Sequence, residues 1–217
     1  QFQPVTTPEL FARLWLGSMP GLISGQSPDR NIFYSSYLST YVERDVRELS
    51  GSVDALKFNR FVTAVAARCS QLLNYKALAD DADIDMPTAK NWVNILETLG
   101  IIFLLHPYSN NVLKRTIKTP KVYFYDTGLV CYLTRWSSPE VAEIGAMSGA
   151  LLENFTVSEI MKSYQNAGLE PYLYFYRDRD AKEIDVILEG DGKLCPLEIK
   201  KTATPDKRLT RVFSVMD

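Results

Sequence analysis

Acidic side chains recur at unusual places in residues 181–201, whose sequence is AKEIDVILEGDGKLCPLEIKK. Two apolar runs flank Asp191-Gly192, a dipeptide that favours a two-residue type I′ hairpin turn. With that turn, Asp185 lies directly opposite Glu198 on the neighbouring strand. Like charges that face each other across two strands destabilise a hairpin. The pairing of Asp185 with Glu198 therefore predicts a functional site that uses the negative charge of the two carboxylates.

The same register places Glu183 opposite Lys200, on the face that carries the two carboxylates. The other face is predicted to be buried and carries apolar side chains, namely Ile184, Val186, Leu188, Leu197 and Ile199. Two carboxylates about 5 Å apart repel by roughly 3 kcal/mol at an effective dielectric constant of 20. Exposure to water, protonation or a bound cation relieves this repulsion, and Mg²⁺ commonly takes one or two carboxylates plus waters. Lys200 adds a positive charge that suits a phosphate or a developing oxyanion.

A helix followed by three strands would position this hairpin. The helix is predicted over GALLENFTVSEIMKSYQNAG, and the strands are YLYFY, EIDVILE and LCPLEIK. The chain before them reads as helices, among them an amphipathic one over DALKFNRFVTAVAARCSQLL. The predicted fold class is therefore α+β or α/β, with a helical part followed by a mixed-sheet domain.

A winged helix-turn-helix is predicted in the middle of the chain. One helix spans about 75–80 and a second runs from Pro87 to Leu99, with Asp85 as its cap and Gly100 as its end. IIFLLHPY and KVYFYD then read as strands around a basic wing. Phosphate contacts are expected from the wing and the second helix, at Lys114, Arg115, Lys118, Lys121, Lys90 and Asn91. Arg177 and Arg179, in YRDRD, are further candidates for nucleic-acid binding.

Composition limits the classes of protein that fit. The formal net charge is −2, so a DNA contact must use local basic patches rather than an overall basic surface. No apolar run approaches the ~20 residues of a membrane helix, and no membrane role is expected. Three scattered cysteines suit a reducing cytoplasm, which is the expected location. The first residue is Gln, which suggests a fragment of a longer chain.

EIDVIL followed by LEIKK resembles the core of the PD-(D/E)XK, or restriction-endonuclease-like, nuclease superfamily. The resemblance implies that Glu153, in GALLENF, joins Asp185 and Glu198 in binding Mg²⁺ or Mn²⁺. It implies that Lys200 positions or activates the attacking water and steadies the phosphate, and that Glu183 is an accessory acid. In that superfamily another helix and strand follow the EIK strand, so a core truncated at its C-terminus is expected here.

A wider resemblance covers nearly the whole chain. YLSTYVERDVREL, KVYFYDTGLVCYL, GALLENF and YFYRDRDAKEIDVIL are similar to the uncharacterised C-terminal domain of a family of bacterial and archaeal AAA-type ATPases. This implies a P-loop ATPase module as a partner, and it implies that ATP is used only there. No G-x-x-x-x-G-K-[ST] motif occurs in this sequence.

These patterns predict three units: a helical segment (1–56) beside the ATPase, a winged helix-turn-helix (57–135) and a nuclease-like core (136–217). The expected function is metal-dependent cleavage of DNA phosphodiesters. The alternative is a non-catalytic module of the ATPase that binds DNA or protein. A protein-interaction domain without nucleic acid, and self-association into a homo-oligomer, also stay open at this point.

Overall fold

Helices make up the first part of the chain. The computed structural model describes residues 5–26, 29–51, 54–108, 119–178, 182–202, 204 and 206–215. The helices before the first strand are α1 (Thr7–Leu16), α2 (Pro20–Ile23), α3 (Arg30–Ser36), a π-helical segment (Tyr37–Val42), α4 (Glu43–Ser50), α5 (Ala55–Ala66), α6 (Tyr75–Ala82) and α7 (Met86–Thr98).

Strands and further helices follow in alternation. They are β1 (Ile102–Pro107), β2 (Lys121–Phe124), α8 (Thr127–Leu133), α9 (Pro139–Ile144), α10 (Ser148–Asn166), β3 (Leu173–Arg177), β4 (Glu183–Gly190) and β5 (Lys193–Leu197), with a 3₁₀ helix at Lys207–Val215. The fold is α+β, as the sequence predicts. Within the described ranges, no helix has both the length and the apolar character needed to cross a lipid bilayer.

Local capping explains where the middle helices begin and end. The Asp85 side chain accepts a hydrogen bond from the Thr88 backbone N–H at 2.7 Å, with Pro87 in the first turn of α7. Gly100 follows this helix with a φ of 65°, in the left-handed region that glycine favours. The two helices expected between residues 75 and 99 are therefore present, with a turn between them.

Aromatic packing holds α7 against α5. The Trp92 ring meets the rings of Phe58 and Phe61 edge to face, with 5.3 Å between centroids in each pair. All three side chains are buried in one large apolar cluster, which also includes the buried faces of α1, α6 and α8. The same cluster includes Ile102, Val122 and Phe124, so the helical part shares its core with β1 and β2.

The sheet has five strands in the order β2-β1-β3-β4-β5. β1 pairs with β2 antiparallel and with β3 parallel, and β4 pairs antiparallel with both β3 and β5. The sequence predicts β1 and β2 as the strands of a separate wing. Instead, His106 of β1 lies opposite Tyr174 of β3, so one sheet joins the predicted units 57–135 and 136–217. The basic segment 109–118 lies outside the described residues.

The predicted register of the last hairpin is confirmed. Gly190 pairs with Lys193 and Val186 with Leu197, around a turn in which Asp191 and Gly192 have φ values of 51° and 70°. Two successive positive φ values define a type I′ turn. The prediction of a single buried face is wrong for the middle of β4, because all of 184–187 are buried.

Candidate functional site

The first of two neighbouring charged groups centres on Lys121, the first residue of β2. Its Nζ lies 3.0 Å from Glu153 Oε1 on α10 and 2.5 Å from Glu183 Oε1 at the start of β4. The Tyr123 hydroxyl donates a hydrogen bond to the same Glu153 oxygen at 2.6 Å. Only 3% of the Lys121 side chain is exposed. These four residues form the Lys121 cluster.

Asn154 explains why Glu153 reaches this position. Its side chain is fully buried, accepts a hydrogen bond from the Phe124 backbone N–H and donates one to the Phe124 carbonyl, both at 2.8 Å. An amide that satisfies both backbone groups of one strand residue fixes the helix against that strand. Asn154 therefore holds α10 on β2 and brings the neighbouring carboxylate to Lys121.

The second group consists of Asp185, Glu198 and Lys200 and is called the Lys200 cluster. Lys200 Nζ lies 2.8 Å from Glu198 Oε1 and 3.5 Å from Asp185 Oδ2. The backbone ladder ends at Leu197, and the Ile199 N–H instead donates to Asp185 Oδ2 at 2.8 Å. Asp185 is buried, whereas 47% of the Lys200 side chain is exposed.

One oxygen of the Lys200 cluster lacks a partner. Glu198 Oε2 is buried and makes no hydrogen bond within the described residues. A buried acceptor without a partner costs about 1–3 kcal/mol, and in native proteins such a group often marks an ion or a water. The Glu198 carboxylate therefore has capacity for one more electropositive ligand.

Burial and charge shift the pKa values of the Lys121 cluster. Burial raises the pKa of Glu153; Lys121 and Tyr123 oppose this shift, and the negative charge of Asp185 adds to it. Burial alone would lower the pKa of Lys121, but Glu153 and Glu183 outweigh it and raise the pKa overall. Burial also raises the pKa of Tyr123 well above its ordinary value, with Glu153 adding to the shift. Glu183 and Asp185 lie two residues apart on β4, which places the two clusters next to each other.

Lys200 stays protonated at neutral pH. Partial burial opposes its charge, but the hydrogen bond to Glu198 and the charges of Asp185 and Glu198 raise its pKa above the ordinary value. An ammonium group in this state donates hydrogen bonds and supplies a fixed positive charge. It can stabilise an anion, and it cannot act as a base.

The structure brings the predicted metal ligands into one region but divides them between the clusters. Glu153 belongs to the Lys121 cluster, and Asp185 and Glu198 belong to the Lys200 cluster. Within the described part of the chain, no three Asp, Glu, His or Cys side chains are placed to hold a metal ion together. Asp185 and Glu198 still fit a cation that takes two carboxylates and completes its shell with water.

The residues predicted to contact nucleic acid have different surroundings. Lys121 is buried in the sheet, so its prediction as a wing residue is wrong. Lys90 and Asn91 are exposed on α7. Arg177 forms an ion pair with Glu183, with 3.6 Å between Nη1 and Oε2. The remaining candidates lie outside the described residues: Lys114, Arg115, Lys118 and Arg179.

Sequence reasoning missed two members of the site and its main support. Lys121 was placed on the wing, while Tyr123 and Asn154 were given no role. One signal was available, because the two-residue period of KVYFYD puts Lys121 and Tyr123 on the same face of a strand. The sequence does not contain a comparable signal for Asn154, whose partner on β2 is 30 positions away.

The fold and the two clusters define an α+β protein with paired carboxylates and lysines at its sheet. Residues 7–140 match the family model described as a domain of unknown function (DUF8612), and the chain belongs to that family. Residues 148–217 match a second model, also described as a domain of unknown function (DUF4143). The first match ends at residue 140 and the second begins at residue 148.

The relatives are uncharacterised as well. The chain is 30% identical over 196 residues to the uncharacterized protein Rv2008c of Mycobacterium tuberculosis and to the uncharacterized protein Mb2031c of Mycobacterium bovis. Each match covers 89% of this chain and 43% of the relative. The chain thus spans less than half the length of these relatives. No solved structure matches it significantly.

Proposed function

We propose that the Lys200 cluster is the site of a divalent-cation-dependent hydrolase that cleaves DNA phosphodiesters. The observation that carries this proposal is the unpartnered, buried Glu198 Oε2 beside the buried carboxylate of Asp185. Glu198 already has a lysine on its other oxygen. The free oxygen therefore favours a second, stronger positive charge.

The donor chemistry supports a hard cation. Asp185 and Glu198 would hold it, since carboxylate oxygens are the ligands that Mg²⁺ and Mn²⁺ prefer. When bound, such an ion polarises a phosphate and lowers the pKa of a bound water. Lys200, half-exposed and charged, would steady the phosphate. Glu183 and Glu153 would act indirectly, because both already pair with Lys121.

The resemblance to nuclease cores and to C-terminal domains of AAA-type ATPases agrees with this chemistry. More than half the length of each mycobacterial relative lies outside the match, which leaves room for an ATPase module in those proteins. On this proposal ATP is used in such a module, and DNA is held by the helices α6 and α7 and by the basic segment 109–118. Lys90 and Asn91, exposed on α7, would contribute to DNA binding.

The direct test is cleavage of supercoiled plasmid DNA by the protein with Mn²⁺. Lys200→Ala and Asp185→Asn should each lower the cleavage rate, on the order of 10²-fold or more for the loss of one charge-stabilising group. Lys193→Ala is the matched control, because Lys193 is an exposed lysine on the same hairpin, and its rate should not change. Equal cleavage by wild type and Lys200→Ala would contradict the proposal.

One observation favours a second candidate, a non-catalytic module that binds DNA. Each cluster already places a lysine between its two carboxylates, and no three-ligand group is present in the described ranges. A duplex-binding titration at several salt concentrations separates the two functions. Binding that persists in Asp185→Asn, together with no cleavage by wild type in Mn²⁺, would favour the non-catalytic module.

A further inference from the structure

A polar cleft lies on the helical part of the molecule, formed by elements that contribute nothing to either cluster. Two cavities of about 430 and 500 Å³ share the lining residues Asn59, Thr63 and Arg135. Because they border the same residues, the two cavities lie side by side between α3, the π-helical segment, α5 and the end of α8, and they are together called the cleft. Each cavity has the volume of a site for a small molecule or a nucleotide.

The charge of this cleft is positive. Its lining includes Arg60, Arg68 and Arg135 but a single acid, Asp81. Arg68 is neutralised by Asp81 at 2.7 Å and also donates to the Ala64 carbonyl. Among the described residues, neither Arg60 nor Arg135 has a carboxylate within ion-pair distance. The pKa of Asp83 is lowered mainly by Lys57, which pairs with it at 2.9 Å, and to a smaller extent by Arg60. Most of the charge of the two guanidinium groups therefore remains. This is a local excess in a chain whose formal net charge is −2.

The backbone at Arg135 supports a role for its side chain. The Arg135 N–H donates to the Tyr132 carbonyl and the Trp136 N–H to the Cys131 carbonyl, which is the pattern that ends a helix with a left-handed residue. Arg135 has that left-handed conformation, with a φ of 61°. Glycine is the usual residue there, because a Cβ is disfavoured. Arg135 takes this disfavoured conformation, and its charged side chain lines the cleft.

The remaining lining suits a ligand with a polar end and a flat or apolar end. Thr63 and Asn59 add side chains that can form hydrogen bonds near the arginines. At the other end, Tyr132, Leu38 and Leu133 form an aromatic and aliphatic wall. Guanidinium groups bind phosphate oxygens with matched, charge-assisted hydrogen bonds, and an aromatic ring can pack against a base.

We propose that this cleft binds a phosphate ester, with Arg60 and Arg135 contacting the phosphate and Tyr132 packing against the attached group. The phosphate ester comes either from a free nucleotide or from a nucleic-acid strand. This site is separate from the Lys121 and Lys200 clusters, and the proposal does not rest on the metal-dependent chemistry above.

The test measures binding of a fluorescein-labelled single-stranded oligonucleotide by fluorescence anisotropy, with unlabelled AMP as a competitor. The variant is Arg60→Ala/Arg135→Gly, in which glycine suits the left-handed backbone and should leave the thermal stability equal or higher. Its affinity should fall by about tenfold or more, the effect of losing charge-assisted hydrogen bonds. The dependence of log affinity on log salt should flatten by about 1.4 for two lost phosphate contacts. A purely structural role would not change that slope.

Arg13→Ala is the matched control, since Arg13 is exposed on α1 and does not line the cleft. Its affinity should stay within about twofold of wild type, as expected for an isolated surface charge. Competition by AMP would identify the cleft as a nucleotide site, and binding of the oligonucleotide without competition by AMP would identify a nucleic-acid strand as the ligand. Either result supports the proposal if the double variant is weakened. The proposal is overturned if wild type binds neither probe, or if the double variant binds as wild type does.

Discussion

Two lysines at the same end of the sheet, one on β2 and one just after β5, have the same formal role and different surroundings. Lys121 and Lys200 each bridge two carboxylates, yet 3% of the first side chain is exposed and 47% of the second. Lys121 is also 5.5 Å from the centroid of the Phe175 ring. A buried cation with fixed partners holds the fold together, whereas a half-exposed one can exchange its partners for a ligand. Burial therefore favours a supporting role for Lys121, and it leaves Lys200 available for the chemistry of the proposed function.

The largest expected effect is the loss of the buried ammonium group. Lys121→Met keeps the length of the side chain but leaves Glu153 without a positive partner and Glu183 with only the exposed Arg177. Removing one member of a buried ion pair typically costs 3–5 kcal/mol, so we expect a loss of about 3 kcal/mol in the free energy of unfolding, measured in urea. The control Lys193→Met replaces an exposed residue of β5 and should change the free energy of unfolding by less than about 0.5 kcal/mol. A loss below about 1 kcal/mol would contradict the supporting role of Lys121.

Alkaline pH provides the second prediction. Lys121 and Tyr123 both have pKa values raised above their ordinary values of 10.5 and 10.0 in the folded state. The folded state then binds more protons than the unfolded state, so this stability is complete below about pH 10 and is lost as the pH rises through the folded pKa values. The slope is about 1.4 kcal/mol per pH unit for each extra proton. Urea unfolding at a series of pH values should show that the free energy of unfolding declines less with rising pH in Lys121→Met than in wild type.

A smaller effect is expected from removing the Tyr123 hydroxyl, which donates a hydrogen bond to Glu153. Tyr123→Phe removes a buried hydrogen bond of 2.6 Å to a carboxylate. Such bonds contribute about 1.5 kcal/mol or more, and Lys121 still pairs with the same oxygen in the variant. Tyr172→Phe is the control, because this tyrosine is 57% exposed. If both variants unfold at the same urea concentration, the hydroxyl does not help to hold Glu153.

The smallest effect on stability is expected at Lys200. Lys200→Ala should cost less than about 1 kcal/mol in the free energy of unfolding, since water screens a half-exposed ion pair. The same change should abolish cleavage, which separates the stabilising lysine from the catalytic one. If Lys200→Ala lost as much stability as Lys121→Met, the two lysines would not differ in their structural role.

Local signals in the sequence predicted much of the fold. Asp85, Pro87 and Gly100 mark the ends of α7, and the Asp191-Gly192 turn fixed the register of the last hairpin. Each of these depends on residues a few positions apart, where capping and turn geometry act directly. The α+β class followed from the same elements.

The parts that sequence reasoning missed depend on long-range pairing. Lys121 was expected on an exposed wing because nothing local indicates that β1 pairs with β3, more than 60 positions later. That pairing places β3 and β4 beside β1, so that Glu183 at the start of β4 reaches Lys121. Similarly, the Tyr34 hydroxyl donates to Asp126 at 2.7 Å across 92 positions, which no local pattern contains. Short-range rules therefore place Asp185, Glu198 and Lys200 on one hairpin, but they do not predict the pairing of Lys121 with Glu153 and Glu183.

Thermal unfolding in the presence and absence of Mn²⁺ tests the proposed site without any choice of DNA substrate. A site with a dissociation constant tenfold below the ion concentration should stabilise wild type by about 1.4 kcal/mol. Glu198→Gln should lose this stabilisation, because it replaces the carboxylate whose buried oxygen lacks a partner, whereas Lys193→Met should keep it. No stabilisation of wild type by Mn²⁺, or an equal shift in Glu198→Gln, would contradict a cation site at the Lys200 cluster.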